Sequence, residues 1–338
     1  MQTETTMGIN DIAVLDAGEL LASFAAARLS PLQALQGITE RIARKNPEIN
    51  AFACLNPQAL DAARESTARW RAGAARALEG VPVTVSDRLD VAGLPSRRGS
   101  VARDDSQVVA RLRAEGAVIL GKTTTISLDE DAIYGITRNP WDHTRTPGSG
   151  AAAAAAAFFG PLHVVAEPGE RGFTSAAWSG VVGFGRGAEG ALARSVQDAL
   201  LLAACLSGRE AFTEGAAGIE RVKIGVWRKI SCVGLEIARS LLAEQDAFLS
   251  DIQGIDDPAC DLILRPAVSQ FAPPAVLEVS GAEFWQSHLL PLRQVAINVP
   301  VGVTPQGLPL AVLLSAHAAQ EEVLLRVARR LERSVNEV

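Results

Sequence analysis

Short runs of apolar, β-branched residues alternate with longer amphipathic segments along most of this chain, and this alternation restricts its possible folds more than any other feature. The strand-like runs include VPVTV at 81–85, AVIL at 117–120, KIGVW at 223–227 and LAVLLS at 310–315. Segments with helical periodicity lie between them. Because strands separated by helices form sheets that those helices cover, the sequence predicts an α/β protein built on a mixed sheet.

The first 80 residues are predicted to be helical. Ser30 and Pro31 match an N-cap followed by proline at the first helical position. Apolar residues then recur on one helical face, at Leu32, Leu35, Ile38 and Ile42. A second helix, which starts near residue 56, is predicted to end at Gly80.

Beyond residue 80 the alternation continues to the end of the chain. Strands are predicted at LHVV (162–165) and DLIL (261–264), and helices at 195–206, near 235–249 and from Gln320 onward. No internal repeat and no long linker divides the sequence. We therefore predict a single domain over 1–338, in which 1–80 form N-terminal helices, 81–190 the core and 191–338 the C-terminal part.

Seven consecutive alanines, at 151–157, follow the turn sequence TPGSG. Alanine has the highest helix propensity and carries no functional group, so the run predicts a buried helix. The strand LHVV follows it. The apolar stretch is too short to span a bilayer, because Gly160, Pro161 and His163 interrupt it.

Acidic residues outnumber basic ones, 38 to 32, which gives a formal net charge of −6 at pH 7. Nucleic acids and anionic membranes bind clustered Lys and Arg, so we expect neither as a partner. The N-terminal stretch MQTETTMGIND lacks the basic and apolar segments of a signal peptide. The sequence therefore predicts a cytoplasmic protein.

The four cysteines, at positions 54, 205, 232 and 260, are far apart and have no histidine at metal-ligand spacing. This pattern favours reduced, mostly buried thiols over a zinc site or a redox pair. None of the four histidines has a sequence neighbour that suggests a catalytic dyad. The sequence therefore predicts neither a metal nor a cofactor.

Several ordered segments resemble the amidase signature family over nearly the whole chain. SPLQALQGITERIARKNPEINAFACL is similar to the family's N-terminal helices, and EGVPVTVSDRLDVAGLPSRRGS is similar to its first core loop. GITRNPWDHTRTPGSG together with AAWSGVVGF is similar to the signature region, and INVPVGVTPQGLPLAVLLS to the C-terminal core strand. The resemblance implies the family's α/β fold, a mixed sheet core covered by helices.

Members of that family cleave amides with a Ser–Ser–Lys triad, in which a neutral lysine takes a proton through a bridging serine while a second serine attacks the carbonyl. The resemblance places the lysine position at Ser86 and the nucleophile position at Arg171, and neither side chain can perform the corresponding step. In the oxyanion turn, Pro168 removes a backbone N–H and Glu170 replaces a glycine. Ser149 is either the remnant of the bridging serine or an ordinary turn serine, and we favour the turn.

The resemblance also implies that the C-terminal part is shortened. Family members carry a long helical insert between the segments that match KIGV and DLIL, and this insert helps to wall the substrate pocket. Only residues 227–260 connect these segments here. We expect much of that wall to be missing and the apolar surface beneath it to be exposed.

The sequence therefore predicts a catalytically degenerate amidase-like protein that acts as a non-catalytic subunit, scaffold or stabilising partner of another protein or of a second copy of itself. The alternatives are an active amide or ester hydrolase with a rebuilt site and a small-molecule binding protein that uses the old pocket. For binding, Ser86, Ser149, Glu170 and Arg171 are the candidate contacts of a small carboxylate or amide. Otherwise Arg171 pairs with Glu167 or Glu170 and fills the vacated pocket.

Overall fold

The computed structural model describes residues 9–96, 99–125, 134–166, 171–185, 189–208, 218–227, 232–252, 259–268, 272 and 294–337. The α-helices in these ranges are α1 Ile9–Val14, α2 Ala17–Ala25, α3 Pro31–Ile49, α4 Ala59–Arg71, α5 Gln107–Ala114, α6 Gly150–Ala156, α7 Arg171–Trp178, α8 Val196–Ser207, α9 Val233–Ala243 and α10 Glu321–Glu337. The strands are β1 Phe52–Leu55, β2 Pro82–Ser86, β3 Val118–Thr123, β4 Leu162–Ala166, β5 Val182–Gly185, β6 Glu189–Ala193, β7 Lys223–Trp227, β8 Phe248–Ile252, β9 Leu262–Pro266, β10 Gln294–Val303 and β11 Pro309–His317.

These strands form one mixed sheet in the order β1-β3-β2-β4-β6-β5-β10-β11-β9-β7-β8. β2 runs parallel to β3 and β4, and β7 runs parallel to β8 and β9. The strands between these two groups pair antiparallel. This arrangement confirms the predicted α/β class with a mixed sheet.

Helices cover both faces of the sheet. Val164 belongs to the apolar cluster formed with α5, α8, α9 and α10, whereas Val165, the next residue of β4, packs against α6 and α7. Successive side chains of a strand point to opposite faces, so β4 is buried on both sides, as expected for a central strand.

Helix α3 begins where the sequence predicts it. The Ser30 side chain accepts a hydrogen bond from the Gln33 backbone N at 3.3 Å, and the Gln33 side chain accepts one from the Ser30 backbone N at 3.0 Å. These two bonds complete a capping box ahead of Pro31. The predicted apolar face is buried except for Leu32, which is half-buried.

Three of the predicted elements are wrong, two because of strand pairing and one because of a local turn. Residues 52–55, predicted as part of a helical region, form β1 because they pair with β3. Helix α4 ends at Arg71 rather than Gly80, because the chain turns at Gly73, whose φ is +66°. The helix predicted to reach residue 249 ends at Ala243, and the last residues of that prediction begin β8, which pairs with β7.

The alanine run forms the predicted buried helix, α6. Its residues 151–155 are at most 1% exposed, and the helix packs on β2, β3, β4 and β6. Apolar residues of α3 and α4 contact one side of it, and Ala176 of α7 contacts another. A helix enclosed in this way needs small side chains for close packing, which explains why the run carries no functional groups.

The four cysteines lie apart as free, half-buried thiols. Burial raises the pKa of the Cys205 thiol to about 11 and also raises the pKa of Cys54 and of Cys232. Among the described residues, no three His, Cys, Asp or Glu side chains are grouped so that they could hold a metal ion. In the same part of the chain, no helix combines the length and the apolarity needed to cross a bilayer.

Candidate functional site

Polar side chains collect where β2 and β3 reach their carboxyl ends. Ser86, the last residue of β2, is 3% exposed. Its Oγ accepts a hydrogen bond from the Arg88 backbone N at 3.4 Å and lies 3.4 Å from Oγ1 of Thr125. Neither partner is a base that could remove a proton from this serine.

A buried carboxylate stands next to Ser86 in the sequence. Asp87 is 2% exposed, and its Oδ1 accepts a hydrogen bond from the Thr125 hydroxyl. Its Oδ2 has no hydrogen-bond partner among the described residues. The sequence pattern did not point to Asp87 or Thr125. The signal that could have found them is a polar residue directly after the end of a buried strand.

Ser149 is the N-cap of α6. It is 1% exposed, and its Oγ accepts a hydrogen bond from the Ala152 backbone N at 3.2 Å. The next residue, Gly150, donates from its backbone N to the carbonyl O of Thr124 at 3.0 Å. The structure therefore brings Ser149 and Ser86 into the same region, on either side of residues 124–125, and each hydroxyl is engaged in a local hydrogen bond.

Arg171 is the first residue of α7, and α7 borders the loop that leads into α6. Ser179, just after α7, donates from its Oγ to the carbonyl O of Pro147 at 3.3 Å. The position that the resemblance gives to the nucleophile thus belongs to an element that packs beside Ser149. The side chain of Arg171, and all of Glu170, lie outside the described residues.

A buried histidine that the sequence left without a partner joins β2 to β4. His163 Nδ1 lies 2.8 Å from Oγ1 of Thr84, and its Nε2 lies 3.1 Å from the carbonyl O of Gly160. A carbonyl can only accept, so Nε2 carries the proton and Nδ1 accepts from the Thr84 hydroxyl. Burial, together with the charge of Arg194, lowers the pKa of His163 to about 3. The ring is therefore neutral, a weak base, and fixed between two strands.

Lys122 lies within β3 and is fully buried. Its Nζ donates a 2.8 Å hydrogen bond to the carbonyl O of Pro95, in the segment that follows β2. Desolvation lowers the pKa of Lys122, while nearby acidic groups act in the opposite direction. Lys122 is the register partner of Val85, so it shares a face with Val85 and not with Ser86. The contact with Pro95 gives this lysine a structural role, because it joins β3 to the segment after β2.

The mixed sheet covered by helices on both faces defines an α/β protein. A family model described as Amidase matches residues 33–244, more than half of the chain. The chain therefore belongs to the amidase family.

The curated relatives match over part of their length. A Mycobacterium tuberculosis protein that bears the name amidase AmiA2 is 38% identical over 194 residues, which cover 48% of this chain and 40% of that protein. A glutamyl-tRNA(Gln) amidotransferase subunit from Acidothermus cellulolyticus is 34% identical over 235 residues, which cover 60% of this chain and 46% of that protein. The chain thus spans less than half the length of these relatives.

Solved structures share the fold over nearly the whole chain. Peptide amidase from Stenotrophomonas maltophilia matches with a TM-score of 0.80 at 21% identity, over 96% of this chain and 97% of that one. A second solved structure comes from a vestigial protein complex that reveals the origins of an s-triazine catabolic enzyme. It matches with a TM-score of 0.77 at 18% identity, over 94% of this chain and 98% of that one. At these identities the likeness establishes the fold.

Proposed function

We propose that this amidase-family chain is catalytically degenerate and acts as a non-catalytic subunit or stabilising partner of another protein or of a second copy of itself. The observation that carries the proposal is the residue at the carboxyl end of β2. Ser86 stands at the lysine position that the family resemblance implies, and its buried hydroxyl is bonded to the Arg88 amide. A hydroxyl does not accept protons near neutral pH, so it cannot replace a neutral lysine as the base.

The proposed loss extends to the other two triad positions. Arg171, at the nucleophile position, carries no nucleophilic atom at neutral pH because its guanidinium stays protonated. Ser149, at the bridging position, uses its Oγ to cap α6. A triad requires a base, a relay and a nucleophile, each linked to the next by a hydrogen bond. By this argument all three functions are missing.

A hydrolase with a rebuilt site is the second candidate, and one contact favours it. The Thr125 hydroxyl, which lies beside Ser86, donates a hydrogen bond to the Asp87 carboxylate. A hydroxyl is thereby paired with a group that can act as a base. Carboxylates are, however, weaker bases than the imidazole of histidine. Ser86 is also almost fully buried, so a substrate carbonyl has poor access to its hydroxyl. We therefore place this candidate second.

The names of similar proteins support a role in an assembly. One relative is named as a subunit of glutamyl-tRNA(Gln) amidotransferase, and one protein of the same fold was solved in a vestigial protein complex. In this chain, Val233 and Phe248 are 65% and 62% exposed. They lie in the segment where the sequence predicts uncovered apolar surface, and they are the first residues to test as partner contacts.

Native mass spectrometry tests the assembly role. The full chain is purified alone and after co-expression with the proteins encoded by neighbouring genes, and we expect a homo-oligomer or a stable heteromeric complex. The variants Val233→Ser and Phe248→Ser should weaken that complex, whereas Val101→Ser, at an exposed valine outside the segment, should not. A compact monomer that captures none of the neighbouring proteins contradicts the assembly role.

Activity assays test the proposed degeneracy separately. Incubation with a panel of simple amides and with a serine-directed fluorophosphonate should yield neither turnover nor a covalent adduct, because base and nucleophile are both absent. Labelling at a serine, abolished when that serine is replaced by alanine, would show that a nucleophile has been retained.

A further inference from the structure

A polar cavity lies beside Asp87, in the segment that joins β2 to α5. Its volume is about 790 Å³, which falls within the usual range for small-molecule sites. Asp87, Arg88, Asp90 and Arg103 line it, and the other described lining residues are Ser96, Ser100, Val101 and Ala102. Neither Ser86 nor Ser149 is among its described lining residues, although Asp87 directly follows Ser86 in the sequence.

Backbone hydrogen bonds build the wall of this cavity. The backbone N of Gly93 donates to the carbonyl O of Ala102 at 3.0 Å, and the N of Ala102 donates to the O of Leu94 at 3.0 Å. The fully buried Lys122 holds the same segment through a 2.8 Å hydrogen bond from its Nζ to the carbonyl O of Pro95. The wall is thus tied to a strand of the central sheet, which favours a preformed site over a loop that must order on binding.

The floor of the cavity includes a carboxylate whose hydrogen bonds are incomplete. Oδ1 of Asp87 accepts from Thr125, but Oδ2 is buried without a donor among the described residues. A buried, unpaired carboxylate oxygen is costly, so the side chain favours an occupant that brings an N–H donor. The terminal torsion of aspartate is soft, and a small rotation can turn this oxygen towards the cavity.

Charged side chains of both signs line the rest of the cavity. Arg88 and Arg103 are exposed, and their guanidinium groups form no hydrogen bond or ion pair with another described residue. The carboxylate of Asp90 is also exposed and forms no side-chain hydrogen bond with another described residue, and its charge acts on the buried Lys122. Guanidinium groups bind carboxylates through paired, charge-assisted hydrogen bonds. The cavity therefore offers a place for an anionic group as well as for a cationic one.

We propose that this cavity binds a small zwitterion of the amino-acid class, with its carboxylate held by Arg88 and Arg103 and its ammonium group directed at Asp87 and Asp90. A simple anion would leave the Asp87 oxygen without a donor, and a simple amine would leave both guanidinium groups without an acceptor. A ligand that carries both charges satisfies both sides of the cavity. This inference goes beyond the proposed function and does not depend on whether the chain is catalytic.

Isothermal titration calorimetry with matched probes tests the site. The full chain is titrated with L-alanine, L-glutamine, L-lysine and L-phenylalanine, and with propionate and ethylamine, which each carry one of the two charges. We expect at least one amino acid to bind about tenfold more tightly than either single-charge probe, because each lacks one set of charge-assisted bonds. No saturable binding by any amino acid at millimolar concentration, or equal binding by propionate or ethylamine, would overturn the proposal.

Substitutions locate the binding. Arg88→Gln, Arg103→Gln and Asp90→Asn change exposed side chains and should each weaken amino-acid binding by about tenfold. The matched control is Arg64→Gln, at an exposed arginine of α4, which should bind as the wild type does. Binding that all three cavity variants leave unchanged would place the ligand elsewhere and overturn the assignment. Turnover of an amino-acid amide would contradict the proposed loss of catalysis but would not contradict the proposed binding site.

Discussion

The backbone N of Ala17 donates a 2.7 Å hydrogen bond to Oδ2 of Asp198, and this bond joins the start of α2 to α8. Asp198 is fully buried, and its Oδ1 has no partner among the described residues. One turn earlier, Arg194 donates to the carbonyl oxygens of Val14 and Leu15 at 3.1 and 2.7 Å. A buried carboxylate and a half-buried guanidinium therefore fasten the N-terminal helices to the core.

Asp198 should make the protein less stable as the pH rises from about 4 to about 7. Burial raises the pKa of Asp198 to about 7, and the bond from Ala17 and the charge of Arg194 oppose this only in part. In that window the folded state keeps a proton that the unfolded state has released, so the free energy of unfolding falls with pH, by at most about 1.4 kcal/mol per pH unit.

Urea denaturation of the wild type and of Asp198→Asn across this pH window measures the effect. The stability of the wild type relative to the variant should decline as the pH rises, and it should level off above neutrality. Parallel stability curves for the two proteins would show that Asp198 titrates normally.

Piecemeal restoration of the triad should fail. An Arg171→Ser, Ser86→Lys double variant regains a hydroxyl and an amine, but Ser149 remains committed to its helix cap and the oxyanion turn still contains Pro168. Without a preorganised relay and oxyanion site, the new groups lack most of their catalytic effect. Hydrolysis of a chromogenic amide should stay at the level of the single variants. A rate clearly above that level would mean that the site is closer to catalytic geometry than we propose.

Gly150→Ala should destabilise the fold strongly. A Cβ at this position would lie 2.6 Å from the carbonyl O of Ala51 and 2.6 Å from the backbone N of Thr124, neither of which can move without disturbing β3. Overpacking of this kind costs about 1–3 kcal/mol or more. Thermal unfolding compares it with Gly18→Ala, where the nearest atom to the new Cβ is 3.4 Å away. Equal melting temperatures for the two variants would contradict the close packing of α6 on β3.

Loss of the Ser149 hydroxyl should affect stability. Ser149→Ala removes the acceptor of the bond from Ala152, and the loss of an N-cap costs about 1 kcal/mol. Ser240→Ala, at an exposed serine inside α9, is the matched control and should be nearly neutral. Chemical denaturation measures both. An unchanged free energy of unfolding in Ser149→Ala would mean that the serine is not a significant cap and would reopen other roles for it.

The sequence by itself determined the class of fold and the elements with strong local signals. The run at Lys223–Trp227 was predicted as a strand to the residue, and the cap at Ser30 and the alanine helix were found where their patterns placed them. These signals are local, since a cap, an apolar period or a propensity depends on residues a few positions apart. The motif order, which implies the positions of Ser86, Ser149 and Arg171, is likewise read along the chain.

Only the tertiary structure decided which residues meet across long separations. Residues 52–55 are a strand because β3 lies beside them, and Asp87 is buried against Thr125, 38 residues away. Asp198 meets Ala17 across 181 residues. Such contacts depend on strand order, strand register and the desolvation of each group. The residues next to a position in the sequence do not determine any of these. The charged cavity beside Asp87 could be recognised only once the sheet had brought its walls together.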